Sequence, residues 1–226
     1  MPIPPIALTK SAYAYDELRR RILTGQIQPG AVFSQTSLAQ ELGVSTTPLR
    51  EALRRLAAEG MVQLDSHRDA RVTPLSPDEA RNLYVIRENL DPLAAALAAT
   101  SRTPEDISAI EVTLKQLTPL NESSDLDAMT AHRNFHRAIY TASHNPLLIG
   151  ILEGLWDKAD QYRHIGLQNQ QDSAKDHARV QQEHVLIAEA VIAGQADHAR
   201  ETMHRHVLGS LGRRAIEVLE GRQEGR

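Results

Sequence analysis

The chain has no cysteine. That absence excludes disulfides, thiolate metal sites and thiol nucleophiles together, and suits a reducing compartment. Aromatic residues are scarce, with only two Phe and one Trp in 226 residues, so a core must be packed with Leu, Ile, Val and Ala. No uncharged apolar stretch approaches the roughly 18 residues needed to cross a bilayer. The opening Met1-Pro2-Ile3-Pro4-Pro5 is short and lacks the basic flank of a signal peptide. These absences imply a cytoplasmic protein with no membrane partner. Nor is there a large excess of one charge: 25 Lys+Arg against 29 Asp+Glu leave a net −4. The length allows one large domain or two of ordinary size.

What is present is concentrated first between Ser34 and Thr73. Ser34 is positioned to cap a short helix with Leu38 and Leu42 four apart, and Gly43 supplies a left-handed stop. Ser45 can cap the next helix, which gathers Leu49, Ala52, Leu53 and Leu56 on one stripe and leaves Thr46, Thr47, Arg50 and Arg54 outside it. Gly60 ends that helix. Two short alternating runs follow, Met61 to Leu64 and Ala70 to Thr73, around a polar tip from Asp65 to Asp69. Two tightly joined helices followed by a hairpin form a winged helix-turn-helix, the device that presents one helix to a major groove. Charge is distributed to match. Residues 1–71 hold nine Lys/Arg and seven Asp/Glu, a net +2, so the remainder carries 16 basic and 22 acidic residues, a net −6.

A further helix precedes this segment, about Ser11 to Thr24. After Pro74, Ser76-Pro77-Asp78-Glu79 reads as a helix cap, which sets a domain boundary near residue 75. From there the sequence is helical throughout, with starts at Thr103-Pro104, Ser124 and Asn145-Pro146 and a break at Gly194. The expected architecture is mainly α: a DNA-binding domain over 10–75 and a six-helix antiparallel bundle over 76–220. Its helices run roughly 77–100, 104–118, 125–143, 146–168, 174–193 and 196–219.

Nine of the ten histidines fall in the bundle. His132 and His136 are four apart and share a face with Met129, Ile139 and Tyr140. His184 lies on a stripe with Val180, Ile187 and Val191, and His206 on one with Ala199, Met203 and Ser210. The midpoint of 184 and 206 is 195, beside the Gly194 break. In an antiparallel pair both imidazoles therefore stand about 15 Å from the turn, at one level. Four inward imidazoles could converge on a divalent ion, zinc first, with nickel or another transition metal as alternatives. His144, His164, His177, His198 and His204 read as surface or loop residues. Arg87 and Arg163 lie at or near inward faces, where a guanidinium needs an anion. Either a protein carboxylate such as Glu88 or Asp91, or the carboxylate of a small ligand, would serve.

The run Leu38-Ala39-Gln40-Glu41-Leu42-Gly43-Val44-Ser45, with Thr47-Pro48-Leu49-Arg50-Glu51-Ala52-Leu53 and Leu56-Ala57-Ala58-Glu59-Gly60-Met61-Val62, resembles the winged helix of GntR-family bacterial transcription regulators. Arg87-Glu88-Asn89-Leu90-Asp91-Pro92-Leu93-Ala94, Phe135-His136-Arg137-Ala138-Ile139 and Ala142-Ser143-His144-Asn145 are similar to that family's FCD effector domain. Six bundle helices suggest the VanR-like branch of the FadR subfamily. The resemblance implies a homodimeric regulator, a repressor, that binds a palindromic double-stranded DNA operator and responds to a small organic acid. It places the metal on His132, His136, His184 and His206, and the effector's carboxylate on Arg87 and Arg163. The DNA-contacting set would be Gln35, Thr46, Thr47, Arg50 and Arg54, with His67 and Arg68 from the wing. Three positions depart from the family pattern: His132 stands where Asp is usual, Thr46 where a groove-reading Arg is usual, and Asp69 at the wing's usual glycine. The alternative reading is a helical-bundle metalloenzyme with a small appended domain. The Glu-x-x-His pairs of di-metal carboxylate bundles do not occur at these histidines.

Overall fold

A computed structural model of the chain describes residues 9–64, 69–120, 126–169 and 173–224. The chain divides into two compact units, 1–75 and 76–226. The first contains helix α1 (Lys10–Leu23), strand β1 (Val32–Ser34), helices α2 (Gln35–Glu41) and α3 (Thr46–Ala58), and strands β2 (Val62–Leu64) and β3 (Asp69–Val72). Thr9 caps α1 by accepting from the Ala12 amide. Leu18 and Ile22 of α1 pack with the predicted α3 stripe, Leu49, Ala52, Leu53 and Leu56, and these positions are buried. Gly43 and Gly60 take φ of 65° and 74°, the left-handed conformation that a helix stop requires.

Two local readings need correction. Ser34 and Ser45 occupy cap positions with extended backbones, but neither side chain makes a cap hydrogen bond. Ser34 also ends β1, which the sequence reading did not contain. Three residues are too few to show a period of two, yet β1 pairs antiparallel with β3 in the order β1-β3-β2. The hairpin is thus one side of a three-stranded sheet. Val62 lies opposite Val72 in its register.

The second unit has helices α4 (Pro77–Ser101), α5 (Pro104–Lys115), α6 (Leu126–Thr141), α7 (Pro146–Asn169), α8 (Ala174–Ile192), α9 (Ala196–Leu208) and α10 (Leu211–Glu224). Ser76 caps α4 through the Glu79 amide, with proline in the first turn. Thr103 with Asp106 and Ser173 with Asp176 form capping boxes for α5 and α8. The start expected at Ser124 lies outside the described residues. Alanines 94, 95, 98 and 99 are fully buried, and these small side chains let α4 and α9 come close. The few large aromatics, Tyr84, Phe135, Tyr140, Trp156 and Tyr162, are all buried in this unit.

The described helices of this unit number seven, not six, because the expected helix 196–219 breaks at Gly209 and Ser210. The break lets α10 turn and pack on α7 and α4. Gly212, near its start, lies so close to the Tyr84 ring that a Cβ there would overlap the hydroxyl. The helix count that suggested the VanR-like branch therefore no longer supports it. Among the described residues, no helix is long and apolar enough to cross a membrane.

Candidate metal centre and nucleic-acid interface

α6 brings His132 and His136 inward, α8 brings His184 and α9 brings His206. All four are buried, and one ring nitrogen from each lies within 4.8 Å of the others. The α8–α9 pair meets as its spacing requires, with the His184 and His206 ring centroids 4.6 Å apart. His132 Nδ1, both nitrogens of His136 and His184 Nε2 are shielded from solvent with no hydrogen-bond partner. His206 Nδ1 lies 3.0 Å from Glu183 Oε2, which leaves Nε2 as its ligand atom.

These features fit a transition-metal ion. Unbonded buried polar atoms are rare in folded proteins, and a carboxylate on the outer nitrogen of an imidazole is the usual support of a metal ligand. At metal–nitrogen distances near 2.1 Å, ligand nitrogens stand about 3.4 Å apart round a tetrahedral ion and at most about 4.2 Å apart across any ion. The 4.8 Å spread therefore has to close by about 0.6–1.4 Å, depending on the coordination geometry. Three of the four donors are also held in the right protonation. Burial first, then Arg163 and the neighbouring imidazoles, hold His132 well below the usual histidine range. Burial followed by His206, His184, Arg87 and Arg163 does the same for His136, and burial with His206 and Arg163 for His184. Neutral imidazoles are the form that binds metal. Burial raises the Glu183 carboxyl, but His206 and Arg179 outweigh it and hold the group below its ordinary value.

Arg87 and Arg163 flank the cluster. Their guanidinium carbons lie 5.1 and 5.0 Å from the Trp156 ring centroid. That ring in turn lies 5.7 Å from His132 and 5.2 Å from His136. Arg87 Nη2 donates to Asp91 Oδ2 at 2.7 Å, and the Tyr140 hydroxyl donates to the same oxygen at 2.9 Å. Arg163 pairs with Asp160. Protein carboxylates thus neutralise both guanidiniums, yet Arg87 Nε and Nη1 stay buried and unbonded. One cavity of about 50 Å³ is lined by both arginines together with His132, His184 and His206.

The sequence reading missed Glu183, Trp156 and two histidines. His144, His198 and His204 are exposed, but His164 is buried and His177 is half-buried on the cavity wall. His177 is seven residues before His184, two turns along the same face of α8, and that spacing was the available signal. Trp156 likewise lies in step with Leu152, Ala159 and Arg163 on α7.

In the first unit, Thr46, Thr47, Arg50 and Arg54 are exposed on α3, with 46, 50 and 54 one turn apart. Gln35 is buried, only 8% exposed, and its Oε1 accepts from Arg50 Nε at 3.2 Å. His67 and Arg68 lie outside the described residues.

A winged helix-turn-helix followed by an all-helical domain with a buried four-histidine cluster defines a DNA-binding class of protein. The family comparison gives that class its name. The profile described as "Bacterial regulatory proteins, gntR family" matches residues 10–72, and that described as "FCD domain" matches residues 82–209. The chain belongs to the GntR family of transcription regulators with an FCD domain, the architecture of the FadR subfamily. It is 29% identical over 174 residues to the HTH-type transcriptional regulator McbR of Escherichia coli (strain K12), covering 76% of this chain and 78% of that protein. It is 28% identical over 199 residues to the HTH-type transcriptional repressor GlaR of the same strain, covering 86% and 90%. Its alignment with the HTH-type transcriptional regulator YdhC of Bacillus subtilis (strain 168) is 30% identical and spans 63% of this chain and 65% of YdhC. The solved structure of E. coli McbR/YncC superposes with a TM-score of 0.73 at 25% identity, covering 96% of this chain and all of that one. These relatives are transcription regulators, which removes the metalloenzyme alternative.

Proposed function

We propose that the protein is a homodimeric repressor that releases a palindromic operator when a small carboxylate binds beside a divalent ion in the helical unit. One observation carries the reading: a single cavity is lined both by imidazoles of the four-histidine cluster and by the two buried guanidiniums. Zinc is the first choice of ion for an all-imidazole set, and nickel or another transition metal is compatible with it. A bound ion would supply a Lewis-acidic positive charge. Arg87 adds unbonded N–H donors at the same place, and these attract a carboxylate. His132, where the family usually has Asp, keeps the ligand set neutral and strengthens that attraction. Repression takes support from the likeness to GlaR, a repressor by its name.

On the DNA side, Thr46, Thr47 and Arg50 would read base edges and Arg54 a phosphate, with His67 and Arg68 as the wing's contacts. Gln35, buried and bonded to Arg50, acts as the support that aims the guanidinium. Effector binding lowers DNA affinity to the extent that the ligand prefers a dimer geometry whose winged helices miss the operator spacing.

Native mass spectrometry with elemental analysis, followed by gel-shift titration of operator DNA with and without short organic acids, tests the whole reading. A dimer holding one ion per chain, whose operator complex is dissociated by an acid, is the expected result. A zinc-treated protein that carries no metal and releases no DNA in any acid would overturn it.

A further inference from the structure

One imidazole of the cluster is held differently from the rest. His132 Nδ1, both nitrogens of His136 and His184 Nε2 are buried without a hydrogen-bond partner. His206 differs, because its Nδ1 lies 3.0 Å from Glu183 Oε2. Glu183 precedes His184 in the chain and is about 100° away from it round α8. Adjacent residues of one helix therefore face two tasks: His184 enters the cluster, and Glu183 reaches across to α9. Glu183 is half-buried, and its other oxygen, Oε1, accepts from Arg179 Nη1 at 2.5 Å, one turn back on α8. Room for that arginine comes from Gly209 at the end of α9. The backbone there (φ −88°, ψ 7°) is open to any residue, but a Cβ would stand 3.0 Å from Arg179 Nη1. Arg179, Glu183 and His206 thus form a line that uses both carboxylate oxygens.

We infer that Glu183 is a positioning residue that presets His206 for metal. Its carboxylate accepts the Nδ1 proton, fixes the imidazole in the Nδ1–H tautomer and keeps the Nε2 lone pair free for the cluster before any ion arrives. The inference rests on the metal reading above and deepens it by making the four ligands unequal. A neutral imidazole carries its proton on one nitrogen or the other, and a ring protonated at Nε2 cannot ligate through that atom. His206 is guided past that choice by Glu183, whereas the partnerless nitrogens of His136 have no such guide. α8 then serves the site twice, directly through His184 and indirectly through the bond from Glu183 to His206. Arg179 is the brace that holds the carboxylate in line, by a pair exposed enough to be worth little in itself.

The test uses full-length protein stripped of metal, with zinc as the probe. Zinc affinity is read by competition with a chromophoric chelator. The His206 tautomer is read without metal, by long-range proton–nitrogen correlation NMR of histidine-labelled protein in mildly alkaline buffer, with His206→Gln to assign its signals. Glu183→Ala should weaken zinc binding about 10–100-fold, the usual loss on removing such a partner, and should turn His206 from the Nδ1–H form to a mixture. Glu183→Gln keeps an oxygen for the Nδ1 proton, so it should retain the tautomer and recover most of the affinity. Arg179→Ala should cost only about twofold, the size of an exposed i,i+4 pair. Unchanged zinc affinity in Glu183→Ala would overturn the inference while leaving the four-histidine site in place. So would a loss of affinity with no change of tautomer, or a Glu183→Gln protein as weak as the alanine variant, since Glu183 would then act through packing or charge. An unmodified protein that takes up no zinc would sink the metal reading, and this inference with it.

Discussion

Tyr15 shows how much one side chain can organise in the first unit. It is only 7% exposed, its hydroxyl stands 3.0 and 2.9 Å from the two oxygens of Glu59, and the Arg55 guanidinium stacks 3.6 Å over its ring. Arg55 also donates to Glu59, so α1 and the end of α3 are joined by a closed triangle. Burial first, and then the bond to the Glu59 carboxylate, push the Tyr15 hydroxyl up to about 12. An unfolded tyrosine titrates near 10. The folded state therefore binds the proton more tightly, so the contribution is complete below pH 10 and is lost as pH rises from 10 through 12. Tyr15→Phe should be less stable at neutral pH by about 1–3 kcal/mol and should show a shallower fall in stability above pH 10. Denaturant midpoints of both proteins at pH 9 and pH 11 measure this, and parallel falls would mean that Tyr15 does not titrate as argued. Arg50 makes the second case at this scale. One bidentate guanidinium–guanine contact discriminates by about 1–3 kcal/mol, so Arg50→Ala should lose preference for operator over random DNA. Gln35→Ala should lose part of it by freeing the Arg50 side chain. A Gln35 variant with full selectivity would show that the 3.2 Å bond does no positioning.

At the scale of elements, α7 is the member that ties the helical unit to its own starting residue. The Tyr162 hydroxyl lies 2.8 Å from Glu79 Oε2 and accepts from the Ser76 amide at 3.3 Å, while Lys158, one turn earlier, pairs with Glu79. Tyr162→Phe should cost about 1–3 kcal/mol, since it removes a half-buried bond to a charged group. It should also speed amide exchange in the first turn of α4, which exchange mass spectrometry would detect. Unchanged exchange there would place the stabilisation elsewhere. The sequence made this kind of element legible wherever a cap or a left-handed glycine punctuated a periodic stripe. Ser76, Thr103, Gly43 and Gly60 mark ends that the structure also has. It was silent where structure depended on a distant partner. β1 exists because β3 lies beside it, and the break at Gly209 and Ser210 serves the packing of α10 on α7 and α4, a contact that no local pattern announces. The cluster was legible because histidine spacing obeys helix geometry. Glu183 was not, since its bond to His206 joins two helices and becomes visible only when they are assembled.

For the whole molecule, the cluster predicts where stability will respond to metal. One ion held by α6, α8 and α9 would crosslink three helices of the unit 76–226 and none of the winged helix. A ligand that binds only the folded state at one hundred times its Kd stabilises by about 2.7 kcal/mol. For a domain of roughly this size each kcal/mol moves Tm by about 2–4 °C. Chelation should therefore lower the transition of the helical unit by about 5–10 °C and leave the winged-helix transition in place. His136→Ala and His206→Ala remove a ligand, so each should melt near the chelated protein and ignore added chelator. His132→Asp substitutes the ligand usual in the family and should keep one ion per chain and most of the chelator-sensitive shift. Its extra negative charge should weaken every carboxylate probe, because an anionic ligand offsets part of the ion's charge. Calorimetry with and without chelator, paired with elemental analysis of the same samples, separates these cases. A His136→Ala protein that retains its ion and its full chelator-sensitive shift would refute the four-histidine centre. Should His132→Asp bind carboxylates as tightly as the unmodified chain, the neutral ligand set would have no part in anion recognition, and the attraction would have to come from Arg87 and Arg163 alone.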